Sequence, residues 1–277
     1  MKAAAVDYVR ARSLEEALDL LATPGVESLV MAGGQSLVAM MNLRIAAPER
    51  VIDIARLREL GEVVEDDDAV TFGACVTHAA IEDGRFADPS RGLMAKAAQT
   101  LAYRAIRTRG TLGGSLALAD PAAEWPVVLA ALGAQAVLRG RGGQRRVPCG
   151  DFVTGIFETR LADDEIVEAV RIPKLSGEAR WGYVKLARKA GEFALALAVA
   201  VVDPVREYRA VVLGAAEGAP LPLGETSRLL GEGRCERTAA RAAIAADLDA
   251  AATRHIAPFR RGLHAVAALR AIEEAQR

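Results

Sequence analysis

Two short stretches hold the residue types best suited to gripping an anion: Ala32-Gly33-Gly34-Gln35-Ser36 and Thr111-Leu112-Gly113-Gly114-Ser115. Each has a Gly-Gly pair followed closely by a small hydroxyl residue. Glycine admits positive φ and lets backbone N–H groups come close to a bound group. Successive N–H groups in such a turn form a nest for negative charge, and a hydroxyl adds one donor. Two such loops brought together could hold the two phosphates of a dinucleotide. Taken alone, either stretch reads first as a tight turn that needs glycine. Neither is a P-loop, because no Lys-Ser/Thr follows, and neither is the G-x-G-x-x-G of a Rossmann site. The residues by themselves give a phosphate grip with an unspecified ligand.

Other reactive side chains are sparse. Cys75, Cys149 and Cys235 stand far apart, so the usual four-cysteine iron–sulfur scheme is excluded and a reduced cytoplasm is expected. His78, His255 and His264 lack zinc-site spacing, and no nucleophile–base triad is evident. His78 reads as a surface or helix-start residue, Arg104, Arg107 and Arg109 as surface residues or else as contacts for phosphate or a partner subunit, and Arg139, Arg141, Arg145 and Arg146 as a solvated hairpin tip. Any redox centre is therefore expected to be organic. A net charge of −1 over 277 residues gives no bulk attraction for nucleic acid or an anionic membrane. No apolar run approaches a membrane span, and the N-terminus has no secretory h-region.

The elements that must position the two stretches are legible in outline. Ser13 with Glu16 has capping-box spacing and opens a helix to about Ala22. Strands are expected at 28–31 and 50–54, then at 69–74, with Thr77 capping a helix from His78. Residues 91–101 read as a helix. Asp120-Pro121 reads as the start of another, running to Leu132. Gly140–Gly143 reads as a hairpin turn between 134–139 and 145–147. From Trp181 three strands (181–188, 195–202, 208–213) follow without helices between them, so they should be antiparallel. Helices are expected at 238–252 and 258–275. Pro173–Glu178 is the expected boundary between lobes.

The motifs in order resemble a known family. Ala-Gly-Gly-Gln-Ser-Leu with Met41, Arg44, Pro48 and Ile52-Asp53-Ile54 is similar to the first FAD signature of the flavoprotein subunits of molybdenum hydroxylases. Thr111–Ser115 followed by Ala119-Asp120-Pro121-Ala122-Ala123-Glu124 is similar to the second. The likeness continues through Glu165-Ile166-Val167, Arg171-Ile172-Pro173 and Tyr183-x-Lys185-x-x-Arg188. This family includes the medium subunit of aerobic carbon monoxide dehydrogenases and the flavin domain of xanthine dehydrogenases.

The resemblance implies an α+β, two-lobed FAD-binding fold of the PCMH/vanillyl-alcohol-oxidase-like type over residues 1–175, with lobes of about 1–56 and 57–175. A C-terminal lobe over 176–277, with a three-stranded antiparallel sheet and helices, completes it. It assigns Ala32, Gly33, Gly34, Gln35, Ser36, Thr111, Gly113, Gly114 and Ser115 to FAD. Ser115 stands where the family commonly has asparagine. Asp120 is placed near the ribose or adenine, or else it caps its helix. Ile166 and Val167 approach the flavin ring. Lys185 sits at its pyrimidine edge, or else on a solvated strand face. Phe193 covers the flavin, or else starts a buried strand. Partner subunits are implied: a small one with two-iron two-sulfur clusters and a large one with the molybdenum cofactor, as a dimer of heterotrimers. A self-sufficient FAD-dependent oxidase or reductase of related fold is the alternative.

Overall fold

Ser13 caps its helix as its spacing predicts, the Glu16 N–H donating to Ser13 Oγ at 3.1 Å. The Glu16 carboxylate reaches one residue past the cap, accepting from the Arg12 N–H at 2.6 Å. In the computed structural model, which describes residues 2–216, 218–231, 235–251, 256 and 258–277, this helix belongs to a small N-terminal lobe. The lobe contains β1 (Asp7–Arg10), α1 (Leu14–Leu21), β2 (Ser28–Met31), α2 (Leu37–Asn42) and β3 (Arg50–Asp53). Its strands form a parallel sheet in the order β1-β3-β2. Its core joins Leu14, Ala17, Leu18 and Ile52 to Leu60, Cys75 and Ile166 from the next lobe.

The middle lobe begins with β4 (Val63–Glu65), β5 (Ala69–Gly73), α3 (His78–Glu82), α4 (Leu93–Thr100), α5 (Arg104–Arg107), α6 (Leu112–Leu118) and α7 (Glu124–Ala131). It continues through β6 (Gln135–Gly140), β7 (Gly143–Pro148), α8 (Cys149–Phe152), β8 (Val153–Gly155), β9 (Glu158–Thr159) and β10 (Ile166–Pro173). The main sheet here is antiparallel, in the order β4-β5-β10-β6-β7. α7 is apolar on nearly every side, with Trp125, Pro126, Val127, Val128 and Leu129 all buried. A helix of that kind must be covered on every side, and here a second sheet covers it.

That sheet is built from β11 (Arg180–Leu186), β12 (Ala196–Asp203), β13 (Tyr208–Gly214) and β14 (Leu221–Pro222), antiparallel in chain order. The two-residue β14 makes four strands where three were expected; it is too short for an alternation pattern to reveal it. Alternation assigns the sheet's faces. Tyr183, Leu197, Val199, Val201 and Val212 join Trp125 and Val127 in the largest core. Val184, Ala196, Ala198, Ala200, Val211 and Leu213 face the other way, under α9 (Gly224–Gly231), α10 (Arg237–Ala250) and α11 (Pro258–Ala275).

Two expectations need correction. The helix after Asp120-Pro121 starts only at Glu124, with Ala123 at its cap. Asp120 instead closes a turn, accepting from the Ala122 N–H at 2.8 Å. Thr111–Ser115 is not a loop either: Thr111 caps α6, and Gly113, Gly114 and Ser115 form its first turn. Ala252 and His255 lie outside the described residues. No described helix is long and apolar enough to cross a membrane.

Candidate functional site

The two glycine motifs, about eighty residues apart in sequence, meet in space. Gly33 packs so tightly on the segment entering the second motif that a Cβ there would collide with the Arg109 carbonyl and Gly110. A Cβ on Gly114 would stand 3.7 Å from the Ala32 side chain. Gly113 is pressed against Ala74 at the end of β5 in the same way. Gly34 has φ +71, a backbone conformation that glycine enters freely.

The motifs differ in what they offer a ligand. The N–H groups of Gly33, Gly34, Gln35 and Ser36 donate to no acceptor among the described residues. These four consecutive free donors on a partly exposed turn fit an anionic group such as a pyrophosphate. The Ser36 side chain is exposed and makes no hydrogen bond among the described residues, while Gln35 Nε2 donates to the Gly33 carbonyl at 3.3 Å. In the second motif the N–H groups are already used. Gly113 donates to the Ala74 carbonyl at 2.9 Å, Gly114 to Thr111 Oγ1 at 3.1 Å and Ser115 to the Thr111 carbonyl at 3.0 Å. The second motif is therefore not a nest; it offers a close wall and the partly exposed Ser115.

Below the second motif runs a buried polar chain that sequence reading missed. His78 starts α3 as one reading had it but is buried rather than on the surface, and its N–H donates to the Gly110 carbonyl at 3.0 Å. Trp125 Nε1 donates to His78 Nδ1 at 3.0 Å, which requires that nitrogen to be unprotonated. Burial, with Arg107 nearby, pushes the imidazole down to about 4. One residue away, Glu124 Oε1 accepts from Lys185 Nζ at 2.6 Å, with the two side chains 3% and 7% exposed. Lys185 also donates to the Thr100 carbonyl at 2.9 Å, and Thr100 Oγ1 meets the Tyr183 hydroxyl at 2.7 Å. Burial raises the Glu124 carboxyl, and the Lys185 charge pulls it back down. Burial, then the Glu124 charge, raises the Tyr183 phenol. Lys185 is thus not on a solvated face. The sequence signal for its partner was the acid ending Asp-Pro-Ala-Ala-Glu, four residues after Asp120.

The remaining predicted residues fall as follows. The second carboxylate oxygen of Asp120 accepts no hydrogen bond from the described residues, so its turn and a ligand contact are compatible. Ile166 and Val167 are buried in two different cores, which leaves only their main chain to face a ligand. The ladder shifts register just after Val167. Phe193 does not start a buried strand; it is 66% exposed, three residues before β12. Of the arginines, Arg104 and Arg107 grip Glu82 and Asp83, and Arg107 also donates to the Leu101 and Ala102 carbonyls at 2.7 and 3.1 Å. Arg139 and Arg145 bind Glu168 and Glu165 at 2.9 and 2.6 Å, so the hairpin is pinned rather than freely solvated. Burial pushes the Cys75 and Cys149 thiols up to about 12, which keeps them inert. No cluster of metal-binding side chains occurs among the described residues.

Residues 4–175 match the family model described as the FAD binding domain in molybdopterin dehydrogenase. The chain is 41% identical to the nicotine 6-hydroxylase medium subunit of Paenarthrobacter nicotinovorans over 203 residues, 73% of this chain and 71% of that one. It is 34% identical to the carbon monoxide dehydrogenase medium chain of Hydrogenophaga pseudoflava, over 87% of this chain and 85% of that one. The solved carbon monoxide dehydrogenase from Hydrogenophaga pseudoflava superposes with a TM-score of 0.91 at 30% identity, covering 99% and 98% of the two chains. Quinoline 2-oxidoreductase from Pseudomonas putida 86 superposes with a TM-score of 0.86 at 29% identity, over 100% and 98%.

Proposed function

The chain belongs to the family of FAD-binding domains of molybdopterin dehydrogenases, and from that premise we propose that it is the FAD-carrying, electron-relaying subunit of a molybdenum hydroxylase complex. The observation that carries the reading is the meeting of the two glycine motifs with four unused N–H donors at their junction. In this reading the N–H groups of Gly33 through Ser36 and the Ser36 hydroxyl hold the pyrophosphate. Gly113, Gly114 and Ser115, with Thr111 and Ala32, wall it in. Asp120 takes the ribose or adenine side with its free oxygen.

Lys185 lies at the pyrimidine edge of the flavin, with the main chain of Ile166 and Val167 nearby. FAD, when bound, supplies acceptance of electrons singly and their release in pairs. The chain's own work is positional and electrostatic. A buried ammonium favours negative charge close by, and Glu124 at 2.6 Å offsets part of that effect. No described residue is asked to act as nucleophile or general base.

The source of electrons is a small subunit with two-iron two-sulfur clusters, fed by a large subunit with the molybdenum cofactor, the whole a dimer of heterotrimers in the cytoplasm. The widely separated cysteines support a relay whose clusters lie elsewhere, and the medium-subunit names of the relatives support the assembly. Purification from the native host with a visible spectrum tests it. The expected result is flavin bands with additional iron–sulfur absorbance and two co-eluting subunits. A lone yellow protein that oxidises a small molecule would sink the relay.

A further inference from the structure

We propose that the groove between α10 and α11 receives an acidic amphipathic helix of a partner polypeptide, an inference that rests on the multi-subunit reading above. The groove has a volume of about 490 Å³. α10 presents Arg237, Arg241, Ile244 and Leu248 to it, a one-face helical spacing, opposite Val266 and Arg270 of α11. Arg237 to Leu248 spans roughly 16 Å at the rise of an α-helix, room for about three turns of a partner helix. Its floor is apolar, and Val266 is 42% exposed there. Phe259, one turn before the groove-lining Gly262, extends the same stripe and is 71% exposed.

Charge selects the occupant. Four arginines rim the groove and no acidic residue lines it among those described. Arg237 and Arg261 are spoken for by Glu273 and Asp249. Arg241 and Arg270 have no acidic partner among the described residues. In a chain of net charge −1, this local excess is not a by-product of a basic composition. Guanidinium groups beside an apolar floor suit carboxylates spaced along an amphipathic helix, the charged pairs setting partner choice. A second copy of this chain is a poor occupant, since a two-fold contact through the groove would set arginine against arginine.

The test replaces Arg241→Glu and Arg270→Glu together in the chain of the purified complex. Subunit dissociation is followed by mass photometry across roughly 50 to about 500 mM salt. The expected result is at least about tenfold weaker retention of partner subunits at low salt, with unchanged FAD content and melting temperature. The Arg241→Lys/Arg270→Lys pair should retain them. A glutamate pair that assembles like the unmodified chain at every salt concentration would overturn the groove assignment and leave the relay reading intact. Loss of FAD or of folding together with the subunits would also overturn it, because the arginines would then be structural. An unmodified chain that purifies without partners would overturn the multi-subunit reading itself, and the proposal with it.

Discussion

Ser36 and Gly33 separate binding from folding within the first motif. Gly33→Ala puts a Cβ into the Arg109 carbonyl, so both stability and FAD retention should fall. The exposed Ser36 side chain makes no hydrogen bond among the described residues, so Ser36→Ala should leave the melting temperature of the flavin-free protein unchanged. A hydrogen bond to a charged group is worth about 1.5–3 kcal/mol, so FAD affinity should drop roughly 10- to 100-fold. Fluorescence titration with FAD checks this, and unchanged affinity would remove the Ser36 hydroxyl from the site. Lys185 and Glu124 invite a different measurement. Lys185→Met leaves a buried carboxylate alone and should cost about 3–5 kcal/mol, much of it recovered when Glu124→Leu is added. Within the loaded complex, Glu124→Gln should raise the flavin potential and Lys185→Met should lower it. Shifts in the same direction for both would rule out a charge effect.

The helices make their own test, through buried imidazoles. His264 on α11 is fully buried, and neither ring nitrogen finds a partner at hydrogen-bond geometry among the described residues. Burial pushes it down to about 4, with Arg260 acting the same way and the Ala215 backbone weakly against. The folded value lies below the unfolded one near 6.5, so the imidazole must stay neutral to remain packed. Its share of stability is complete above pH ~6.5 and is lost as pH falls toward 4, up to roughly 3 kcal/mol. His264→Leu should therefore flatten the acid limb of the melting curve, raising the melting temperature more at pH 5 than at pH 8. A parallel shift at both values would refute the titration.

At this same scale the sequence was informative but uneven. Capping at Ser13 and Thr77 and the β11–β13 meander were readable from local chemistry. The start of α7 was not: Asp120-Pro121 looks like a helix start, yet Asp120 spends its oxygen on a turn. The burial of His78, and the choice between a flavin-edge and a solvated place for Lys185, were not legible for one reason. Burial of a polar side chain depends on partners, Trp125 and Glu124, that are 47 and 61 residues away in sequence.

The C-terminal sheet is not an appendage to the flavin-binding part, because one of its faces completes the middle lobe's core. Tyr183, Leu197, Val199, Val201 and Val212 pack with Trp125 and Val127, and each of the first five is at most 5% exposed. At about 1.5–3 kcal/mol for each fully buried large apolar side chain, these contribute on the order of 10 kcal/mol, comparable with the whole stability of a domain. Residues 1–175 expressed alone should therefore show no cooperative melting and should bind hydrophobic dyes, although the family match ends at 175. The N-terminal lobe is a different case. Its small core meets the middle lobe through few side chains, Leu57, Leu60, Cys75 and Ile166, so residues 57–277 should still melt cooperatively. Those residues lack the free N–H donors of Gly33 to Ser36, so they should not retain FAD. FAD at about 100 times its dissociation constant should stabilise the full chain by roughly 2.7 kcal/mol and leave residues 57–277 unmoved. Equal stabilisation of both would mean that the N-terminal lobe is not part of the flavin grip.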